Sequence, residues 1–120
     1  MEGLLRKLME MVAKNDKYDP WIESVNIDQA ISNLEEEIEE LKEALEKDEI
    51  ESVVEELGDM IWTAMLVLLV ARRSYGVDLK QVIGNLEGKM RARKPYIFDG
   101  YKPSLEVARR IWKEAKERGE

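Results

Sequence analysis

The feature that most constrains the fold of this chain is an apolar seam along residues 24–47. Its members recur every three or four residues, as Ile27, Ile31, Leu34, Ile38, Leu41 and Leu45. That spacing places these side chains on one side of an α-helix, and such a seam packs at a shallow angle against other helices. Strand-like alternation is scarce in the rest of the chain. We therefore predict an all-α fold, a helical bundle.

Apolar spacing and breaker residues place two more helices on either side of this one. The first covers residues 3–14, and residues 15–21 form a connection that Pro20 breaks. Asp48 and Glu51 have the spacing of a capping box, which predicts that a third helix starts there. The N-terminal half of the chain therefore contains three predicted helices.

The C-terminal part contains two further helices, so the bundle has about five. Gly76 is a natural stop for the third helix. Asp78 caps a fourth helix that reaches about residue 94, ahead of Pro95. Residues 95–103 form a turn-rich aromatic loop, and the last helix covers residues 105–118.

The third helix contains an uncharged apolar run at residues 60–71. A helix that is apolar on all sides must be covered on all sides, and a chain of 120 residues has few helices with which to do that. We therefore predict a four-helix core completed by oligomerisation. The run is too short to cross a bilayer, which takes about 20 residues, so no membrane partner is expected.

Composition narrows the chemistry. The length suits a single domain over residues 1–120, and the formal net charge of −7 makes nucleic acid an unlikely partner. The chain has no cysteine and no histidine, which excludes disulfides, thiolate chemistry and imidazole-ligated zinc. The N-terminus lacks the apolar core of a signal peptide, so a cytoplasmic location is expected.

Four acidic residues are the candidate ligands of a metal ion. Glu37 and Glu40 are three residues apart, as are Glu56 and Asp59, so each pair shares one face of its helix. Two such pairs facing each other would form a cup of four carboxylates. Oxygen ligands favour hard divalent cations such as Mg²⁺. The alternative is a solvated acidic face, since the chain carries 26 Asp and Glu.

The ordered motifs resemble those of the MazG-type nucleoside triphosphate pyrophosphohydrolases, a branch of the all-α NTP pyrophosphatase superfamily. The signature Glu-Glu-x-x-Glu is present at residues 36–40, and Glu-x-x-Asp follows at residues 56–59. Asn85, the basic segment 89–94 and the last helix are similar to the family's downstream elements. The resemblance covers about residues 20–118.

This resemblance assigns metal ligation to the four carboxylates and implies hydrolysis between the α and β phosphates of a nucleoside triphosphate. The expected cofactor is Mg²⁺, with Mn²⁺ as a substitute, and the expected assembly is a homodimer or homotetramer. Glu36 is the candidate for orienting or deprotonating the attacking water. The candidate substrate-binding residues supply charge, hydrogen bonds or stacking, and they are Asn85, Lys89, Arg93, Trp21 and Tyr96.

Other interpretations stay open. Within the superfamily, phosphoribosyl-ATP pyrophosphatase and dimeric dUTPase- or dCTPase-like activity use the same acidic logic. In the alternative interpretation outside the superfamily, the chain is a non-catalytic, self-associating helical bundle whose carboxylates are ordinary solvated surface groups. Base and sugar preference do not follow from the sequence.

Overall fold

The computed structural model describes residues 2–120, which are folded as α-helices and connecting segments with no β-strand among them. The all-α prediction is confirmed. In chain order the helices are α1 (Glu2–Tyr18), α2 (Pro20–Ser24), α3 (Ile27–Glu46), α4 (Ile50–Tyr75), α5 (Leu79–Arg93), α6 (Pro95–Asp99) and α7 (Leu105–Glu117). None of these helices is long and apolar enough to cross a membrane.

The five predicted helices are present, and two short ones lie where connections were predicted. Pro20 was predicted to break a connection, but it occupies the first turn of α2. Asp19, the cap of this helix, accepts a hydrogen bond from the backbone N–H of Trp21 at 3.0 Å. Pro95 likewise occupies the first turn of α6, which has no side-chain cap. Proline is tolerated at the start of a helix because its missing N–H has no intrahelical partner there.

The turn between α3 and α4 corrects the capping-box prediction at Asp48 and Glu51. Asp48 ends α3 in the left-handed conformation, with φ at 58°. The N–H of Asp48 donates to the carbonyl of Leu45, and that of Glu49 donates to the carbonyl of Ala44. This is a Schellman motif. The residue at the N-terminal cap of α4 is Glu49, and its side chain forms no capping hydrogen bond.

The intramolecular contacts divide into two compact units, one ending at Val77 and the other beginning at Asp78. The first unit contains α1 to α4, and its core draws on every one of these helices. The buried side chains of this core are Val12, Ile22, Val25, Ala30, Leu66, Leu69 and Val70. The single domain predicted over residues 1–120 stays a prediction.

The seam of α3 is only partly buried within this chain. Ile31, Ile38 and Leu45 are exposed, although the seam spacing predicted packing. On α4 a second apolar stripe is exposed, formed by Ile50, Val54, Leu57 and Ile61 at intervals of four, three and four residues. The chain thus leaves apolar stripes uncovered on two adjacent helices.

The second unit contains α5, α6 and α7. Asp78 and Gln81 form a capping box at the start of α5, and Ser104 caps α7 by accepting the N–H of Val107 at 3.3 Å. The cap predicted at Asp78 is confirmed. Ala115 on α7 is fully buried. Gly76, which precedes this unit, ends α4 with φ at 67°, as predicted.

Candidate metal centre

The turn of residues 47–49 returns the chain so that α4 packs along α3, and this pairing assembles a group of carboxylates. Glu37 comes from the middle of α3, and Glu56 and Asp59 come from the N-terminal half of α4. One carboxylate oxygen from each of these three residues lies within 4.8 Å of the others. The predicted facing of the two acidic motifs therefore has a geometric counterpart in the structure.

Two oxygens of this group are withdrawn from solvent without a hydrogen-bond partner. They are Oε2 of Glu37 and Oε2 of Glu56, and both side chains are half-buried. A buried carboxylate oxygen that loses water and gains no partner is costly, so such atoms usually face a cation, a donor or ordered water. No Lys or Arg forms an ion pair with either residue in the described part of the chain.

The same crowding changes the acidity of the two glutamates. Burial raises the pKa of Glu56 to about 7 from its ordinary 4.5, and hydrogen bonds to Glu37 and Glu40 reinforce the rise. Burial also raises the pKa of Glu37, which the hydrogen bond to Glu56 partly offsets and the charge of Glu40 increases. A like charge disfavours ionisation of its neighbour. Ionisation of Glu37 and Glu56 is therefore disfavoured unless a cation offsets their charge.

Glu40 and Glu36 have different positions from the central three. Glu40 is exposed, and its charge acts on Glu37 and Glu56, but its oxygens lie outside the 4.8 Å group. Glu36 is also exposed. Both line a groove of about 510 Å³ along α3, together with Ser32, Glu35, Ile38 and Glu39. The described structure thus brings together three of the four predicted ligands and places the fourth beside them.

The donor set fits a hard divalent cation. Three carboxylates offer oxygen ligands only, and Mg²⁺ is usually held by one or more carboxylates with waters and substrate phosphates completing its shell. The two solvent-excluded oxygens without partners are the local reason to expect a cation. Asp59 adds a third carboxylate. Its backbone carbonyl accepts a hydrogen bond from Thr63 Oγ1 at 2.8 Å.

Of the aromatic candidates, Trp21 lies in the first unit. It is half-buried and packs against the core there, as does Trp62. Its backbone N–H donates to Asp19 at the start of α2. Most of this indole therefore serves packing, and only its accessible part is free to contact a ligand.

The remaining candidates lie in the second unit. Asn85 and Lys89 line a groove of about 390 Å³ together with Gly84, Gly88, Gly119 and Glu120. Arg93 donates from Nε to the backbone carbonyl of Glu120 at 2.8 Å, and its guanidinium lies 5.0 Å from the ring centre of Trp112. Tyr96 stands edge-on to Tyr101, with 6.2 Å between ring centres.

Sequence reasoning missed Arg109 and Leu105. With Lys94, Tyr96, Ala108 and Trp112 they line a cavity of about 270 Å³ in the second unit. The signal was present, because residues 105, 108, 109 and 112 are spaced by three and four and therefore share one face of α7.

Comparison with known proteins agrees with the all-α fold. The sequence model of the MazG nucleotide pyrophosphohydrolase domain matches residues 26–98, a range that includes both acidic motifs. The crystal structure of a mazG-related protein from Thermotoga maritima superposes with a TM-score of 0.86 and 41% sequence identity. That match covers 93% of this chain and 98% of the Thermotoga chain. No curated protein matches the sequence significantly.

Proposed function

The chain belongs to the MazG nucleotide pyrophosphohydrolase family, and from that premise we propose that it hydrolyses (deoxy)nucleoside triphosphates to monophosphate and pyrophosphate with the help of Mg²⁺. A role in clearing unwanted nucleotides from the cellular pool would suit this activity. Mn²⁺ is the expected substitute metal.

One observation carries the proposal. Oε2 of Glu37 and Oε2 of Glu56 are withdrawn from solvent with no hydrogen-bond partner, inside a group of carboxylate oxygens that also includes Asp59. A surface that was acidic only for solubility would leave its carboxylates hydrated. Holding these carboxylates together and away from solvent costs free energy. That cost favours a cation site over the non-catalytic helical bundle.

Glu37, Glu56 and Asp59 would hold the metal, and Glu40, which contacts Glu37 and Glu56 from an exposed position, would join them. When bound, Mg²⁺ supplies positive charge for the phosphate oxygens and acidity for a coordinated water. The carboxylates themselves exclude a bare triphosphate by charge, so they select the metal-bound form of the substrate. Glu36 is proposed to orient the attacking water and accept its proton, because it is adjacent to Glu37 on α3.

The proposed phosphate contacts come from α5. Asn85, Lys89 and Arg93 are spaced by four residues, so successive members lie on one face of the helix. Lys89 would hold a phosphate oxygen and offset the charge of the leaving pyrophosphate, while Asn85 donates a neutral hydrogen bond. Arg93 would act from its fixed position beside Trp112. Trp21 and Tyr96 are the proposed contacts for the base.

A homodimer or homotetramer is the proposed assembly. Two exposed apolar stripes favour it: the one on α4, with Ile50 and Val54 at 69% and 66% exposure, and the exposed seam residues of α3. Large exposed apolar surface typically marks a protein interface. Light scattering at micromolar concentration would report a dimer or tetramer, whereas a monomer would contradict this part of the proposal. The proposed location is the cytoplasm.

The function is tested by measuring pyrophosphate release from a panel of canonical and modified (deoxy)nucleoside triphosphates, with Mg²⁺ and with EDTA. We expect metal-dependent release with a monophosphate as the second product, and the panel identifies the preferred base. Preference for phosphoribosyl-ATP or for dUTP and dCTP would instead support the alternative activities of the superfamily. No release from any nucleotide, by folded protein, would favour the non-catalytic bundle.

A further inference from the structure

The second unit contains a cavity whose lining combines aromatic rings with positive charge. Lys94, Tyr96 and Trp112 line it together with Leu105, Ala108 and Arg109, and its volume is about 270 Å³. An adjoining cavity of about 370 Å³ shares Tyr96, Leu105 and Ala108 and extends along Tyr101 and Lys102. No Asp or Glu side chain lines either space.

Two cations lie against the indole of Trp112: Lys94, which lines the cavity, and Arg93, which does not. Nζ of Lys94 lies 5.6 Å from the ring centre, and the guanidinium carbon of Arg93 lies 5.0 Å from it. Cation–π attraction of this kind fixes positive charge that would otherwise move freely in solvent. The edge of the cavity is therefore positive before any ligand arrives, and a ligand pays less ordering entropy for contacts with these groups.

The rings provide the second half of a recognition site. Trp112, Lys94 and Tyr96 are half-buried, and Tyr101 braces Tyr96 edge-on. Planar heterocycles stack on such rings largely independently of the pattern of hydrogen-bond donors and acceptors on the heterocycle. Arg109 is exposed and forms no ion pair among the described residues, so its guanidinium remains available to a phosphate.

We propose that this cavity, lined by Lys94, Tyr96, Arg109 and Trp112, binds a nucleoside monophosphate, with the base against the rings and the phosphate on the cations. Together with the adjoining space, the cavity reaches the volume of small-ligand pockets, roughly 300–1,000 Å³, which suits a mononucleotide better than a polymer.

Tyr96 is also a proposed contact of the hydrolysed substrate, and so is Arg93, which touches Trp112 from outside the lining. Lys94, Arg109 and Trp112 have no part in the proposed hydrolysis. Binding of a monophosphate here requires no carboxylate and no metal, so it survives the failure of that hydrolysis. Its own failure would bear only on the base contact proposed for Tyr96 and leaves the carboxylate group untouched.

The test is calorimetric titration of the full chain in EDTA with the monophosphates of the common bases. Free nucleoside and inorganic phosphate are titrated as partial ligands, and a short single-stranded oligonucleotide is titrated as the polymer. We expect monophosphate binding, and weaker binding of each partial ligand, because each engages only the rings or only the cations.

Four variants on α7 localise the site. Arg109→Ala should weaken binding roughly tenfold or more, as expected for a charge-assisted contact to phosphate. Arg110→Ala removes the same charge from the adjacent exposed residue, which does not line the cavity, and should leave affinity within about twofold. Trp112→Phe keeps a ring and should weaken binding less than Trp112→Ala, with circular dichroism showing which variants are folded.

Three results would overturn the proposal. They are no monophosphate binding by the folded wild-type chain, equal losses in Arg109→Ala and Arg110→Ala, and binding of the oligonucleotide alone. The second would reduce the effect to bulk charge, and the third would indicate a nucleic-acid surface.

Discussion

The two units of this chain carry opposite net charge, and their charged side chains have different surroundings. The first unit has 19 Asp and Glu against 8 Lys and Arg, a net charge of −11. The second has 7 Asp and Glu against 11 Lys and Arg, a net charge of +4. In the first unit, Glu37 and Glu56 are crowded together, and neither forms an ion pair with a Lys or Arg among the described residues. In the second, Arg91, Arg93 and Lys94 lie against aromatic rings.

This difference shows what net charge alone conceals. A value of −7 argues against phosphate-bearing partners when it is spread over the whole molecule, yet the second unit is basic and its cations are ordered. The first unit thus carries net negative charge and the second net positive charge. We propose a divalent cation as the partner of the first unit's carboxylates and a phosphate as the partner of the second unit's cations.

The largest expected effect is the loss of hydrolysis in Glu56→Gln. This change removes a carboxylate from the solvent-excluded group while keeping the size of the side chain, so pyrophosphate release should fall roughly 100-fold or more. Glu55→Gln, at the exposed neighbouring position, is the matched control and should retain activity. Equal activity in the two variants would mean that the carboxylate group is not the metal site.

On the basic side, Lys89→Ala should lower kcat/KM for a triphosphate by roughly tenfold to a hundredfold, because a charge-assisted contact to phosphate is lost. Steady-state kinetics at saturating Mg²⁺ would measure the change. Lys80→Ala, at the exposed start of the same helix, removes an equal charge and serves as its control. A similar loss in both variants would reduce the role of α5 to general attraction.

The stability of the metal-free protein should depend on pH in a direction set by Glu56. Its pKa is raised to about 7, so the folded state binds more protons than the unfolded state between pH 4.5 and about 7. The free energy of unfolding therefore falls as pH rises through that window. Denaturant melts in EDTA should show this fall in wild type and a flatter profile in Glu56→Gln. A wild-type profile that rises across the window would contradict the crowded-carboxylate account.

The smallest effect concerns an acid of the first unit that has its cations. Asp16 accepts from Arg72 and Arg73, and its contact with Arg73 Nη2 measures 3.1 Å. Because both arginines are partly exposed, Asp16→Asn should lower the free energy of unfolding by only about 0.5–1.5 kcal/mol. By contrast, Glu56→Gln should raise the free energy of unfolding at pH 8 without metal, because it removes a crowded negative charge. Chemical denaturation of both variants would compare them, and stabilisation by Asp16→Asn would be the contrary result.

The sequence predicted the elements better than their junctions. The seam from Ile27 to Leu45 identified α3, and Gly76 and Asp78 marked where α4 ends and α5 begins. Asp48 was misinterpreted because a residue ending one helix and a residue capping the next are both short and polar. Its positive φ depends on how α4 packs back on α3, which local spacing does not reveal.

The pairing of the acidic residues was predictable from their spacing, but the burial of each residue was not. Spacing of i, i+3 places two residues about 60° apart around a helix axis, so the two members of a pair can differ in burial. Glu37 is half-buried beside α4, whereas Glu40 is exposed although it also contacts Glu56. Which seam residues stay uncovered was also beyond the sequence, because Ile31 and Leu45 have the same spacing as Ile27, Leu34 and Leu41, which are half-buried.

The measurement that tests the central claim most directly is thermal unfolding at pH 8 across a Mg²⁺ titration, without nucleotide. The account predicts that Mg²⁺ raises the Tm of wild type progressively, because a ligand that binds only the folded state stabilises it. Glu56→Gln should start from a higher Tm in EDTA and respond weakly to Mg²⁺, while Glu55→Gln behaves as wild type. If wild type and Glu56→Gln show the same response, or neither responds, the group formed by Glu37, Glu56 and Asp59 is not a cation site and the account is wrong.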